Sequence, residues 1–352
     1  MKAAWRRFFR LFAGSAAAAV AALFVFVAVI DPWGVLPASP TLARVPVTTS
    51  SRYAFPMLAR ASRFDSVVVG TSTSRLLRPA ALDRAFGARF VNLSIDAATA
   101  YEETRLLGAF LQAHSRAKFV VIGLDMRWCD PTPQPKYTHY PFPEWMYDRD
   151  RWPGYLRLLN LYAVQESGSQ LAAMAGWKPA RHGDDGYSAF KLPSGSGDPA
   201  RVAARIAAAG FAAGEPGDPS TFRFTTLWRL RRALAAIPPG TRKLLFFVPY
   251  YLDYQQPQGG PTASYWAGCK RRVARMAAAD ADAEVVDFMI ASPITRDEAN
   301  YYDAIHFRPT VADRIADDLA QAARGRPSSI GDYRIISQGA AGENDASRPN
   351  QR

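Results

Sequence analysis

Leu11 to Ile30 reads LFAGSAAAAVAALFVFVAVI, twenty consecutive residues without a charge at one end of the chain. A helix apolar on every face has no amphipathic solution in water. As an α-helix this run rises roughly 30 Å, the thickness of a bilayer's hydrocarbon core. Asp31, Pro32 and Gly34 end it, and Lys2, Arg6, Arg7 and Arg10 precede it. Positive charge on that flank predicts a cytoplasmic N-terminus (1–10), a membrane-spanning anchor (11–30) and a main domain outside the cytoplasm. The apolar core of a cleaved signal peptide is about 7–15 residues, so the length favours an uncleaved anchor.

The location of the charge alters the meaning of the composition. The net charge is +12, but four of the basic residues belong to the N-terminal cluster and the remainder form no dense block along the sequence. The electrostatic footprint of a nucleic-acid binder is therefore not expected. At 49% hydrophobic and 21% charged, the 352 residues exclude a disordered chain and suffice for a sizeable core. No Cys/His cluster has metal-ligand spacing, and neither a metal nor another cofactor is expected. Cys129 and Cys269 would lie where a disulfide is allowed.

Beyond a Pro-containing linker (31–50), short β-branched runs alternate with helical patterns, which predicts an α/β fold with a parallel sheet covered on both faces. Five runs read as strands: 65–70, 89–95, 118–125, 243–249 and 284–288. Helices are expected over 75–86, 101–114, 221–237, 265–279 and 310–323. Residues 128–220 interrupt the alternation as an irregular insertion after the third strand. Five prolines between Pro131 and Pro143 are interleaved there with Tyr137, Tyr140, Phe142 and, further on, Trp145, Tyr147 and Trp152. Those rings either form a lid that presents flat faces to a ligand or pack a small core of their own. Residues 325–352, rich in Gly, Ser, Asn and Arg, read as a solvated, disordered tail, which leaves 51–324 as the main domain.

In a doubly wound sheet the loops after the strands form the functional rim. The first strand runs into Gly70-Thr71-Ser72-Thr73-Ser74-Arg75, where a hydroxyl sits at the start of a helix. Unpaired N–H groups there favour negative charge, which suits a nucleophile, although Ser and Thr are also ordinary capping residues. The last strand is followed by Asp303-Ala304-Ile305-His306, in which the carboxylate reaches the imidazole and fixes its tautomer. The other histidines, His114, His139 and His182, have Leu111, Lys136 and Pro179 three residues earlier, so this pairing occurs once.

Together, a serine after the first strand and Asp-x-x-His after the last resemble the SGNH hydrolase superfamily of serine esterases and acyltransferases. The resemblance covers roughly 65–125 and 240–323. It implies a five-stranded, flavodoxin-like parallel sheet, with Ser72 as nucleophile, His306 as base and Asp303 as the orienting acid. Ser72 occupies the family position at the turn, whereas Ser74 lies two residues into it. Gly70-Thr71-Ser72 keeps the family's glycine and serine and has Thr for the family's Asp. The resemblance also implies an oxyanion or substrate-binding set, with Ala97 near the family's glycine, Asp125 where the family places an Asn, and Asn92 in the second-strand block; Arg75, beside the turn, either orients an anionic group or projects into solvent. The Gly-Thr-Ser-Thr-Ser-Arg turn together with an anchor is similar to the membrane-anchored envelope branch, which includes alginate O-acetylation proteins and the D-alanine transfer protein of teichoic acid synthesis.

The resulting expectation is a single-pass protein of a bacterial inner membrane. Its periplasmic domain would be a serine esterase or O-acyltransferase acting on acyl groups, O-acetyl above all, of an envelope polysaccharide. The alternative is a noncatalytic module that binds such a polysaccharide or scaffolds an envelope biosynthesis complex. Expected partners are the polysaccharide or an acyl donor and the membrane, with no nucleic acid.

Overall fold

The computed structural model describes residues 2–130, 135–188, 198–209, 223–255 and 261–337. In chain order the helices begin with α1 (Lys2–Ile30), α2 (Ser51–Leu58), α3 (Pro79–Phe86), α4 (Ala100–Ala113) and α5 (Met126–Cys129). They continue with α6 (Leu161–Met174), α7 (Pro199–Ala208), α8 (Leu227–Ala236), α9 (Pro261–Ala278) and α10 (Pro309–Ala322). The strands are β1 (Ser66–Val69), β2 (Phe90–Asn92), β3 (Phe119–Leu124), β4 (Arg242–Phe247), β5 (Ala283–Asp287) and β6 (Arg334–Ile335). By internal contacts the chain divides into two units, Met1–Leu58 with Pro143–Asp184, and Ala59–Phe142 with Asp185–Arg352.

The second unit holds the sheet, ordered β2-β1-β3-β4-β5-β6. Neighbours are parallel from β2 to β5, and β6 pairs antiparallel with β5. The near-continuous apolar runs account for this: Val67, Val68, Val120, Val121, Leu244, Leu245, Val285 and Val286 are fully buried, as strands covered on both faces require. The sheet thus has six strands rather than the expected five. The sixth is two residues long and falls within 325–352, the stretch read as a solvated tail. Asp332 and Tyr333 are buried immediately before it, and the Arg314 guanidinium of α10 pairs with the Asp332 carboxylate. A specific ion pair and the open edge of β5 hold this segment, neither of which leaves a periodic signature. Residues 338–352 lie outside the described residues.

The expected helix over 75–86 is divided. A 3-10 turn, Ser74–Leu76, follows β1, and α3 starts afresh at Pro79, whose ring suits a first helical position and excludes continuation of the preceding turn. The insertion is not irregular throughout: α6 and α7 are regular helices. In α7 the Asp198 side chain caps the Ala200 N–H ahead of Pro199.

In the first unit, α1 extends over 29 residues and is exposed along most of its length, with Val27 and Ile30 in its last turns buried against α6. It is long and apolar enough to cross a membrane, as an anchor or as a signal sequence. The stretch read as a linker is packed: Asp31, Trp33, Val35, Leu36 and Val47 are buried, and Asp31 accepts the Leu36 N–H at 2.9 Å. Trp33, Tyr53, Trp145 and Tyr162 lie ring against ring at centroid separations of 5.0–6.3 Å. Of the two alternatives for the insertion's aromatics, Trp145 and the buried Tyr147 follow the second, packing a small core. Tyr137 and Phe142, in the second unit, stack on each other beside Tyr101.

Candidate active site

The turn after β1 is shaped by what lies beneath it. Ser74 is fully buried, and its side chain fills the space left by Gly70, directly after β1, and Gly123 on β3. A Cβ at either glycine would collide with the Ser74 hydroxyl, so both positions require glycine for space. With Ser74 turned inward, Ser72 is left half-buried at the rim. Asn92 secures the turn from the neighbouring strand. Its Nδ2 donates to the carbonyls of Ser74 at 3.0 Å and Leu77 at 2.7 Å, and its Oδ1 accepts the Ser94 N–H at 3.0 Å. Read from the sequence as part of an oxyanion or substrate set, Asn92 is buried, and its amide is spent on holding the backbone.

Two hundred and thirty-four residues later the chain returns to the same spot. Tyr301 and Phe307, both fully buried, form an isolated antiparallel bridge that closes the 302–306 loop, and Tyr302 N–H donates to the His306 carbonyl at 2.8 Å. Tyr301 Oη ties the loop to the end of β4 by donating to the Pro249 carbonyl at 3.0 Å. Inside the loop, Asp303 Oδ1 accepts the N–H groups of Ile305 at 2.9 Å and His306 at 2.8 Å. Its Oδ2 lies 2.7 Å from His306 Nδ1, and His306 Nε2 lies 2.8 Å from Ser72 Oγ.

Burial opposes charge on Asp303, but the His306 hydrogen bond and charge and the two N–H donors outweigh it and hold the carboxyl below its usual range. An ionised Asp303 requires the proton on Nδ1, so Nε2 presents its lone pair to the serine.

The remaining sequence-derived candidates divide. Ala97 has φ +52°, the left-handed region that disfavours a Cβ and suits the glycine of the resemblance. Among the described residues, the N–H groups of Ala97 and Ser72 make no hydrogen bond. Arg75 neither projects freely into solvent nor faces an open anion site: its guanidinium pairs with Asp96 and bonds the Ser188 hydroxyl, with Nε at 3.1 Å.

Asp125 caps α5 by accepting the Arg127 N–H at 2.8 Å, and its other oxygen accepts the Thr71 hydroxyl at 2.5 Å. Its carboxylate is therefore occupied next to the nucleophile turn. The Thr71 partnership was not legible in sequence because the two residues lie 54 apart. Glu103 on α4 also went unanticipated. It is buried and accepts Trp128 Nε1–H at 3.1 Å. Burial, and then the nearby Asp125, push its carboxyl well above the ordinary range, while burial also raises Asp125.

No protein-family model matches this sequence, and no curated protein matches it. Among solved structures, a protein from Streptococcus pneumonia described provisionally as a platelet activating factor aligns with 78% of this chain and 89% of its own. Its sequence identity is 10% and its TM-score 0.39, a likeness too small to assign anything to this chain.

Proposed function

We propose that this chain is a membrane-anchored serine ester hydrolase or O-acyltransferase of the bacterial envelope. The observation that carries the reading is the unbroken line of contacts from Asp303 through His306 to Ser72 Oγ, at 2.7 and 2.8 Å. In this mechanism His306 Nε2 takes the Ser72 proton as Oγ bonds to the acyl carbonyl carbon. The N–H groups of Ser72 and Ala97 stabilise the oxyanion that forms. When the intermediate collapses, the carbon–oxygen bond to the leaving alcohol breaks, and His306 returns the proton to that alcohol. Water or a sugar hydroxyl then repeats the sequence on the acyl-enzyme and regenerates Ser72.

Asp125 in place of the family's Asn is the best support for a noncatalytic polysaccharide-binding or scaffold module. Against that, the carboxylate is bonded to Thr71 and Arg127 and need not face a developing oxyanion. The envelope assignment rests on α1, its basic flank and the Cys129–Cys269 disulfide, a bond of oxidising compartments. An O-acetyl group on envelope glycan is the acyl ester we favour.

The test is labelling of the full-length protein by a fluorophosphonate and turnover of an aryl acetate. Both should be present in the wild type, and turnover should fall by about 10⁴-fold in Ser72→Ala and in His306→Ala. Undiminished turnover in both variants removes the mechanism. No labelling together with glycan binding that persists in Ser72→Ala installs the noncatalytic reading.

A further inference from the structure

Helices α8 and α9 carry Arg229, Arg231 and Arg232, and Lys270, Arg271, Arg272 and Arg275, with no Asp or Glu in either. These two sets are separated in sequence, and the fold brings Arg231 of the first and Arg272 and Arg275 of the second to one groove of about 690 Å³. Arg231, Arg272 and Arg275 line its sides, and Phe224, Trp228 and Met276 supply apolar surface. Asp280 at one end is already bound to Lys243 at 2.9 Å. Among the described residues, Arg231, Arg232, Arg271, Arg272 and Arg275 are exposed and have no carboxylate partner. Burial and the neighbouring Arg232 lower the pKa of Arg229, a sign of like charges crowded together. A cleft lined by one sign of charge over low-dielectric walls concentrates counter-charge.

Trp228 also lines a second cavity of about 150 Å³, shared with Thr99, Tyr101 and Arg229. Arg229 bridges the two by lying 4.4 Å from the Trp228 ring centre and 5.1 Å from that of Tyr101. Thr99 caps α4 two residues beyond Ala97, so the basic track leads from the groove toward the loop whose N–H we assign to the oxyanion.

We infer that the α8–α9 groove binds an anionic polysaccharide strand and directs it toward Ser72. Guanidinium groups pair with the carboxylates or phosphates of such a strand, and the exposed Trp228 ring offers apolar surface to its sugars. A concave track with an apolar floor favours a strand over a flat bilayer. This inference extends the proposed function by naming the charge class of its glycan.

The experiment uses the full-length protein in nanodiscs of zwitterionic lipid, carrying Ser72→Ala so that turnover plays no part. Polygalacturonate is the probe, and neutral dextran, phosphatidylglycerol vesicles and duplex DNA are the comparisons. Polygalacturonate binds and dextran does not, and added salt weakens the binding. Arg231→Gln/Arg272→Gln/Arg275→Gln reduces binding by about tenfold or more. The charge-matched Arg84→Gln/Arg116→Gln/Arg149→Gln stays within about twofold, since general surface charge contributes little. Both triple variants are checked for unaltered thermal melting. Absence of polygalacturonate binding, equal loss in the two triple variants, or tighter binding of vesicles or DNA overturns the inference. Serine labelling of the chain with Ser72 intact is read separately, so failure of the groove and failure of the catalytic reading are distinguishable.

Discussion

At the scale of single residues, the candidate site combines groups that the sequence reveals with groups that it conceals. Ser72 was legible because it sits in the turn that follows a strand, and Asp303 and His306 because the Asp-to-His interval of three is bridged locally. Thr71, Asp125 and Glu103 were not, because their significance depends on which buried groups face one another across β1, β3 and α4. Glu103 supplies a test with a definite sign. Its folded-state pKa is raised, so the stability it permits is complete below the ordinary carboxylate range, about pH 4.3, and is lost as pH rises through the elevated value. Glu103→Gln removes that titration. The difference in melting temperature between Glu103→Gln and wild type should therefore move in favour of the variant as pH rises from 5 to 8. A difference independent of pH would show that Glu103 is charged in both states.

At the scale of elements, buried β-branched runs locate the five parallel strands to within three residues at each end, which is where pattern reading is strongest. Two residues of β6 carry no such pattern. Helix α7 did carry a signal in Asp198-Pro199, an N-cap followed by proline at the first turn, but the surrounding Gly- and Ser-rich composition obscured it. The junction of β1, β3 and the nucleophile turn yields a second prediction. A Cβ at Gly123 collides with the Ser74 hydroxyl and approaches the Phe246 ring at 3.3 Å, so Gly123→Ala should cost about 1–3 kcal/mol and weaken serine labelling. Among the described residues the Ser74 hydroxyl has no hydrogen-bond partner, so Ser74→Ala should be nearly neutral. Thermal melts of the two single variants and the double variant should then show partial rescue in the double. Strict additivity would mean that the hydroxyl does not set the spacing.

At the scale of the whole molecule, the basic residues that open the sequence bear more directly on the topology we propose than on what the protein binds. The surplus of basic residues seemed scattered because Arg229 to Arg232 and Lys270 to Arg275 are about forty residues apart in sequence. Only the fold brings Arg231 of the first set to the same groove as Arg272 and Arg275 of the second. The basic residues at the start of α1, ahead of its apolar run, predict that alkaline phosphatase fused after residue 337 is active in a bacterial host, while β-galactosidase at the same position is inactive. The opposite pattern would place the sheet in the cytoplasm and remove the envelope reading.

The Cys129–Cys269 bond joins α5, directly after the Asp125 cap, to α9 across 140 residues. In the export we propose, which starts from the N-terminus, Cys129 emerges early and waits for most of the remaining chain before its partner arrives. The chain contains two cysteines and no others, so oxidation has a single intramolecular solution. Correct pairing is thus fixed by arithmetic, and maturation of this protein calls for an oxidant but no disulfide-shuffling step.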